Sequence, residues 1–247
     1  MSDGWAVTEP GHAAAIQVWC VDLALSAGRL AGCDAWLSAE EAARADRFLR
    51  AEDRDRYRAS HAALRLILGR ALGVAPGVLA FATGPAGKPE LAGGLAGALH
   101  FNLSHSGARA LVGISPEAAI GVDVEALRPI PDALRIARTQ FAQAEAEALA
   151  ALPPEAVGPA FTGLWTRKEA VVKALGAGLS LPLDRFVLTL PPAPPRLVAI
   201  TGDDPEAWSL HHLEPGPGTV GTAAIRAPGA RVARCALPAG WADDGPR

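Results

Sequence analysis

Helical and strand-like patterns alternate along this chain in an order that restricts the folds it can adopt. Residues 15–25 alternate apolar and polar side chains, as a strand does. From Ser38 the pattern becomes helical, and Ser38 followed three residues later by Glu41 is typical of an N-terminal capping box. A longer helical run begins at residue 51 and ends at Gly73, since glycine commonly follows the last helical turn.

The same alternation occurs again downstream. Three strand candidates follow a segment rich in Gly, Pro and Ala; they cover residues 98–106, 108–115 and 118–127. Helical periodicity returns over residues 129–175, interrupted at Pro153-Pro154, and five short strands separated by turn residues follow from residue 185.

This order of elements predicts an α+β fold in which one α+β unit is used twice. The boundary is expected near residues 118–122. We therefore predict an N-terminal half over residues 1–119 and a C-terminal half over residues 120–247.

Composition excludes several classes of protein. Half of the 247 residues are hydrophobic, which is enough for a substantial core, yet no apolar stretch reaches the ~18 residues of a membrane span. The N-terminus lacks the basic region of a secretory signal. Three scattered cysteines predict neither a disulfide framework nor a zinc site and favour a reducing, cytoplasmic location. The net charge of −3 offers no attraction for nucleic acid.

Two carboxylates stand out in the third strand candidate. Asp123 and Glu125 are two residues apart, so on a strand they share a face. Like charges placed side by side are unfavourable unless a cation lies between them. The apolar neighbours favour a buried strand, and Gly121 is expected to leave open space beside Asp123. The pair is therefore either a solvated strand end or a site for a hard divalent cation such as Mg²⁺.

The helical run before residue 175 carries charges on an otherwise apolar helix. Trp165, Glu169 and Lys173 follow one another at intervals of four and lie along one side. A surface Glu–Lys pair is one interpretation. Because the helix is apolar around most of its circumference, its charges should be partnered, and Glu169 could act as metal ligand or general base with Lys173 as phosphate contact. Gly176 and Gly178 indicate the helix end.

Two further segments could bind anions. Ser104 and His105 belong to a segment that either binds an anion through hydroxyl, imidazole and backbone donors or forms a tight turn. A serine hydrolase is excluded because no G-x-S-x-G elbow exists. The glycines around Lys88 do not form a P-loop, because their spacing is too short and Pro89 stands where Ser or Thr is required.

Carboxylates suited to Mg²⁺ together with cations suited to phosphate favour a phosphate-transfer site over hydrolytic or redox chemistry. Four segments carry this set in order: GKP, FNLSHSG, GVDVE and WTRKEAVVKALGAGLSLPL. From about residue 41 to about residue 186 the chain resembles the 4′-phosphopantetheinyl transferases, in the larger single-chain form that serves polyketide and nonribosomal peptide synthetases.

The resemblance implies a pseudo-dimer of two similar α+β halves with the active site in the cleft between them. Coenzyme A would lie in that cleft with Mg²⁺ on its pyrophosphate. The serine hydroxyl of an apo acyl or peptidyl carrier protein would take the 4′-phosphopantetheine arm, and adenosine 3′,5′-bisphosphate would leave. A monomer is expected.

The resemblance also assigns roles to residues. Asp123, Glu125 and Glu169 match the metal-binding acids, with Glu169 or a metal-bound water as the base, and Lys173 matches a pyrophosphate contact. The residues expected to hold the nucleotide and its phosphates are Arg44, Arg56, Lys88, Ser104 and His105.

Two positions qualify this match. Glu41 stands where some relatives carry a lysine for the 3′-phosphate, so either Arg47 takes that role or nucleotide binding is weaker there. Glu145 lies where relatives carry a helix acid near the active site. Two other functions remain open: a non-catalytic module that binds coenzyme A or carrier protein, and an unrelated Mg²⁺-dependent phosphodiesterase.

Overall fold

The computed structural model describes residues 4–7, 16–84, 87–176 and 181–243 of the chain. Gly178, expected to help end the helix around Glu169, lies outside those residues. Within them helices and strands combine in a mixed α+β arrangement, which confirms the predicted class. No helix in this described part is both long and apolar enough to cross a membrane.

The first part of the chain forms a strand, three helices, a short hairpin and two longer strands. After the two-residue strand β1 (Ala6–Val7), the elements are β2 (Gln17–Asp22), α1 (Ala27–Asp34), α2 (Ala39–Ala45), α3 (Ala51–Leu72), β3 (Phe81–Thr83), β4 (Pro89–Leu91), β5 (His100–Ser106) and β6 (Arg109–Ser115). The predicted capping box starts α2: Ser38 Oγ accepts from the Glu41 N–H at 3.2 Å, and Glu41 Oε2 accepts from the Ser38 N–H at 2.8 Å.

The second part presents the same kinds of element in the same order. These elements are β7 (Ile120–Ala126), α4 (Ala133–Gln140), α5 (Gln143–Ala150), α6 (Pro154–Leu175), β8 (Phe186–Leu188), β9 (Leu197–Ile200), β10 (Ser209–Leu213), β11 (Thr219–Ile225) and β12 (Ala233–Ala236). The two long helices α3 and α6 each have 22 residues. Each is followed by a glycine with positive φ, Gly73 at 69° and Gly176 at 64°.

Strand pairing follows the same plan in both sheets. In the first sheet β2 pairs antiparallel with β6, and β6 with β5. In the second, β7 pairs antiparallel with β11, and β11 with β10. The last strand departs from this plan, because β12 pairs in parallel with both β2 and β1. The predicted boundary at 119/120 falls just before β7, and β12 crosses it to complete the first sheet; the division into two domains remains a prediction.

Polar side chains of β5 join the two sheets. They accept hydrogen bonds from the N–H of every second residue of β7, because alternate residues of a strand share a face. The pairs are Asn102 Oδ1 with Val122 N at 2.9 Å, Ser104 Oγ with Val124 N at 3.4 Å and Ser106 Oγ with Ala126 N at 3.1 Å. The predicted strand thus includes residues 102–106 of the segment interpreted as an anion site or a tight turn, and anion binding there stays a prediction.

Three apolar clusters make up the core. One packs α1 and α3 against the first sheet, a second joins α4, α5 and α6 to β8 and β9, and the third lies between the two sheets. Helix α1 and the hairpin of β3 and β4 were not predicted. The hairpin strands have three residues each, and they depend on tertiary packing of Phe81 on Phe101 at 5.3 Å, which a local pattern cannot show.

Candidate functional site

Asp123 is the most enclosed acid of the predicted site. It lies in the middle of β7 and is 4% exposed. Its Oδ1 accepts from Lys173 Nζ at 2.6 Å and from Ser104 Oγ at 3.0 Å. Burial raises the pKa of Asp123 to about 6, although Lys173 opposes that change. Its other oxygen, Oδ2, is buried and has no hydrogen-bond partner among the described residues, which is costly unless a further group binds it.

Glu125 and Glu169 lie beside this pair. Glu125 Oε2 accepts from Ser106 Oγ at 2.9 Å. Glu169, on α6, is half-buried; burial raises its pKa, the Lys173 charge lowers it, and the Glu125 charge raises it. The predicted acids thus share one region. In the described ranges, however, no group of three or more His, Cys, Asp or Glu side chains is arranged to hold a metal ion, so their convergence on one ion stays a prediction.

A glycine explains how α6 comes so close to β7. A Cβ placed on Gly121 would lie 2.0 Å from the Ala170 carbonyl oxygen and 2.4 Å from the Ala174 nitrogen. The helix backbone therefore rests directly on the strand there. The expectation of open space beside Gly121 is wrong, because the helix occupies that space. This close crossing is what brings the helix residue Lys173 to the strand residue Asp123.

Lys173 contacts two other predicted site residues, Asp123 and Ser104. Its ammonium pairs with Asp123 and donates to Ser104 Oγ at 3.1 Å. Its side chain is 27% exposed, so the ammonium is at the edge of the solvent. The surface Glu–Lys pair considered from the sequence is absent from the hydrogen bonds of the described residues, since the lysine binds Asp123 rather than Glu169. Trp165, on the same helix, packs against Phe141 and Phe161.

Lys88 occupies a different environment from the one expected for a phosphate contact. Its Nζ donates to two backbone carbonyl oxygens, that of Ile120 at 3.1 Å and that of Lys173 at 2.7 Å. Burial lowers the pKa of Lys88 to about 8, while the charge of Glu90 raises it. The structure therefore places this lysine at the crossing of β7 and α6.

Cationic and aromatic side chains of α2, α3 and β5 border the site. His105 lies at the surface, yet surrounding protein atoms shield its ring and hold its pKa below the ordinary value. Positive charges nearby lower that pKa further; they belong to His61, Lys173 and Arg56. Tyr57 stacks on His61 with ring centres 4.0 Å apart, and the Arg44 guanidinium lies 5.9 Å from the Tyr57 ring.

Arg56 is not a free cation in this structure. It pairs with Glu52 at 3.2 Å and with Asp53 at 3.3 Å, both on its own helix. These are partly exposed pairs of small individual strength, so a phosphate could compete for the guanidinium. Ser104 and His105 lie on β5 at the junction of the sheets, and Arg56 lies near His105. The contact of these residues and of Arg44 with a nucleotide remains a prediction.

Glu41 is a buried acid with three partners, Ser38, His61 and Arg65. Its Oε2 accepts from Arg65 Nε at 2.6 Å, and its Oε1 lies 3.1 Å from His61 Nδ1. Burial alone would raise the pKa of Glu41. Hydrogen bonds from His61 and Ser38 and the charge of Arg65 outweigh it, so the pKa falls to about 2. Glu41 therefore orients His61 and Arg65 from inside the protein.

Two further charged residues of α6 were not assigned roles from the sequence. Lys168 is fully buried and pairs with Glu145 at 2.7 Å, while its Nζ also donates to the Leu183 and Phe186 carbonyl oxygens. Glu145 is thus a partner inside the helical core rather than an acid at the site. Arg167 is buried and donates to carbonyl oxygens of residues 189 and 193. The sequence could have indicated that Arg167 and Lys168 have buried partners, because both precede Glu169 on a helix that is otherwise apolar and buried charges need partners.

Comparisons with known proteins identify relatives of this chain. Residues 119–227 match the model of the 4′-phosphopantetheinyl transferase superfamily. The chain is 37% identical to the 4′-phosphopantetheinyl transferase HetI of Nostoc over 211 residues, 85% of this chain and 87% of that protein. It is 35% identical to a 4′-phosphopantetheinyl transferase of Bacillus subtilis over 170 residues, 69% of this chain and 74% of that one. It is 41% identical to slr0495 of Synechocystis over 156 residues, 63% of this chain and 63% of that protein.

Proposed function

The chain belongs to the 4′-phosphopantetheinyl transferases, and from that membership we propose how its own residues carry out the transfer. Members move the 4′-phosphopantetheine group of coenzyme A to a carrier protein. We propose that this chain delivers it to a serine hydroxyl of an apo acyl or peptidyl carrier domain, that the reaction needs Mg²⁺, and that adenosine 3′,5′-bisphosphate is released. The observation that carries the proposal is the buried Asp123–Lys173 pair beside Glu169 at the junction of the two sheets.

The chemistry of the acids fits a magnesium ion. Asp123 Oδ2 is buried and lacks a partner among the described residues, and burial and the Glu125 charge both disfavour a bare carboxylate. Carboxylate oxygens are the ligands that Mg²⁺ prefers. Asp123, Glu125 and Glu169 would hold the ion, which when bound supplies positive charge to the pyrophosphate.

Glu169 is the proposed base. Its raised pKa makes it a better proton acceptor than an ordinary glutamate. As the serine oxygen forms its bond to phosphorus, the serine proton goes to Glu169. The bond from phosphorus to the bridging oxygen breaks, and its electron pair leaves with adenosine 3′,5′-bisphosphate. Lys173 neutralises charge that develops on the phosphates.

The remaining assignments concern the nucleotide. We propose that Arg44, Arg56, Ser104 and His105 bind its phosphates, because they bring hydroxyl, imidazole and guanidinium donors to the side of the site that Lys173 faces. Lys88 donates to backbone carbonyl oxygens instead.

We propose that the fold is a pseudo-dimer with the site in the cleft between two similar halves. The repeated order of elements, the matching strand orders and the two 22-residue helices support this architecture. A monomer and a reducing, cytoplasmic location belong to the same proposal. The three cysteines are free and buried, which supports the location.

Transfer is tested by the mass of the carrier. Apo carrier protein incubated with coenzyme A, Mg²⁺ and this enzyme should gain the mass of the phosphopantetheine group in intact-protein mass spectrometry. No gain with a panel of acyl and peptidyl carriers would contradict transfer and favour a non-catalytic binding module. Hydrolysis of coenzyme A in the absence of carrier would instead favour a phosphodiesterase.

Matched variants of α6 test the residue assignments. Glu169→Gln should lower the transfer rate by on the order of 100-fold or more if this carboxylate is base and metal ligand. Glu155→Gln is the control, because Glu155 is an exposed acid in the first turn of the same helix. Equal rates for the two variants would remove Glu169 from the proposed site.

A further inference from the structure

Lysine is rare in this chain, and each lysine has specific contacts. Of the 23 Lys and Arg residues, three are lysines: Lys88, Lys168 and Lys173. Lys168 pairs with Glu145, and Lys173 pairs with Asp123. Lys88 binds carbonyl oxygens. Arginine supplies the other basic side chains of this sequence. The ammonium of lysine is more compact than a guanidinium, which suits enclosed positions such as those of Lys88 and Lys168.

The two acceptors of Lys88 belong to the two elements that build the site. Ile120 is the first residue of β7, three positions before Asp123. The carbonyl oxygen of Lys173 is in the last turn of α6 and also accepts from the Gly176 N–H at 3.3 Å. An ammonium at this carbonyl is favourable, because the C-terminus of a helix carries partial negative charge. Lys88 thus ties the hairpin of the first part of the chain to both site elements.

The backbone around Lys88 holds it in this position. Its carbonyl oxygen accepts from the Gly84 N–H at 2.7 Å, and Pro89 fixes the next φ angle. Its Cδ lies 3.8 Å from a Cβ placed on Gly176, so the aliphatic stem follows the end of α6. Gly121, adjacent to Ile120, is where the helix backbone touches β7. The ammonium therefore sits at the crossing itself.

We propose that Lys88 is a positioning residue, which fixes the crossing of α6 and β7 through the Ile120 and Lys173 carbonyl oxygens and so sets where the Lys173 ammonium meets Asp123. One of its two acceptors is the backbone of Lys173, so a shift of this contact moves the Lys173 side chain directly. Burial lowers the pKa of the Lys88 ammonium, and the two carbonyl oxygens are the acceptors that offset the cost of enclosing its charge. The kinetic consequence rests on the proposed function, whereas the structural consequence does not.

The first test uses the small number of lysines. Protein labelled with ¹³C-lysine should give three Cε–Hε signals, assigned by substitution. In Lys88→Met, which keeps the apolar stem and removes the donors, we expect the Lys173 signal to shift. The Lys168 signal should stay, because Lys168 is buried beside Glu145 and serves as an internal control. An unmoved Lys173 signal would overturn the proposal.

The second test separates positioning from phosphate binding. Lys88→Met should lower kcat by ~10- to 100-fold, because a small misplacement of a catalytic group is costly, while KM for coenzyme A changes by less than ~3-fold. The Kd for adenosine 3′,5′-bisphosphate should also stay within about 3-fold of wild type. A raised KM and Kd with kcat unchanged would show a phosphate ligand and overturn the positioning role.

A conservative variant keeps the test decisive. Lys88→Arg can still donate to both carbonyl oxygens, so it should recover part of kcat and shift the Lys173 signal less. If Lys88→Met does not fold, Lys88→Gln decides, because its shorter side chain cannot reach both carbonyl oxygens; an unshifted Lys173 signal in that variant contradicts the proposal. The NMR measurement needs neither coenzyme A nor carrier. Absence of transfer by wild-type enzyme would therefore count against the proposed function alone.

Discussion

At the scale of single residues, Glu41 is a buried carboxylate whose ionised form is stabilised by its neighbours in the fold. Its folded-state pKa of about 2 lies below the ordinary value, so its contribution to stability is present above about pH 4.5 and is lost as the pH falls toward 2. We expect Glu41→Gln to lower the free energy of unfolding by about 3 kcal/mol at pH 7 and by roughly half of that at pH 3.

Urea unfolding at the two pH values measures this difference. Glu40→Gln is the matched control, because Glu40 is its exposed neighbour in the first turn of α2. The control should change stability by less than about 0.5 kcal/mol. A loss for Glu41→Gln that is the same at pH 7 and pH 3 would show that the ionised carboxylate is not the source.

Lys173 and a metal ion should compete for Asp123. In this structure the ammonium holds Asp123 Oδ1 at 2.6 Å. Lys173→Met removes a positive charge next to the proposed metal ligands, so Mn²⁺ should bind the free protein more tightly, by on the order of tenfold. An electron paramagnetic resonance titration without coenzyme A measures it. The double variant Asp123→Asn/Lys173→Met should lose that gain; a double variant that keeps it would exclude Asp123 as a ligand.

At the scale of elements, the close crossing of α6 and β7 depends on Gly121. Gly121→Ala would put a methyl group 2.0 Å from the Ala170 carbonyl oxygen, so the helix must move away from the strand. We expect a loss of about 2–3 kcal/mol in the free energy of unfolding, together with lower transfer activity, since Lys173 moves with the helix.

Gly158→Ala is the control on the same helix. Outside the adjoining helix backbone, no atom of the described residues lies within 4 Å of a Cβ placed on Gly158. Alanine should change the free energy of unfolding there by less than about 1 kcal/mol, because the gain from replacing a helical glycine is offset by crowding of the new Cβ against Pro159. Thermal unfolding followed by circular dichroism compares the two variants. Similar melting temperatures for both would mean that the crossing tolerates a methyl group.

At the scale of the whole molecule, the sequence predicted local elements better than their assembly. Helix α3, the last five strands and the capping box of α2 follow from periodicity and end signals. The acids Asp123 and Glu125 could be found because their spacing places them on one face of a strand. The hydrogen bonds between β5 side chains and the β7 backbone were not predicted. The sequence does show polar residues at every second position of β5, namely Asn102, Ser104 and Ser106, and these are the residues that accept those bonds.

What sequence reasoning missed are contacts between distant segments. The carbonyl contacts of Lys88 join residues 32 and 85 positions apart, and no local pattern encodes such a pair. The parallel pairing of β12 with β2 joins the two ends of the chain in the same way. Motif order indicated which residues take part in the site, but the ion pair of Lys173 with Asp123 required the packed structure.

The last strand, β12, pairs with β2 in the first sheet, so the two parts of the chain depend on each other. Cys235, Leu237 and Trp241 belong to the apolar cluster between α3 and the first sheet, and Trp241 stacks on Trp36 with ring centres 6.4 Å apart. A fragment of residues 1–117, cut in the exposed turn after β6, lacks these side chains and leaves an edge of β2 unpaired.

We therefore expect fragments 1–117 and 118–247 each to fail to fold alone and to regain a cooperative transition and a near-ultraviolet circular dichroism spectrum when refolded together. The physical reason is that losing a buried tryptophan and its neighbours costs at least ~3–5 kcal/mol, a large part of the stability of a domain. Cooperative unfolding of fragment 1–117 by itself would contradict this dependence, because it would show that the first sheet is complete without β12.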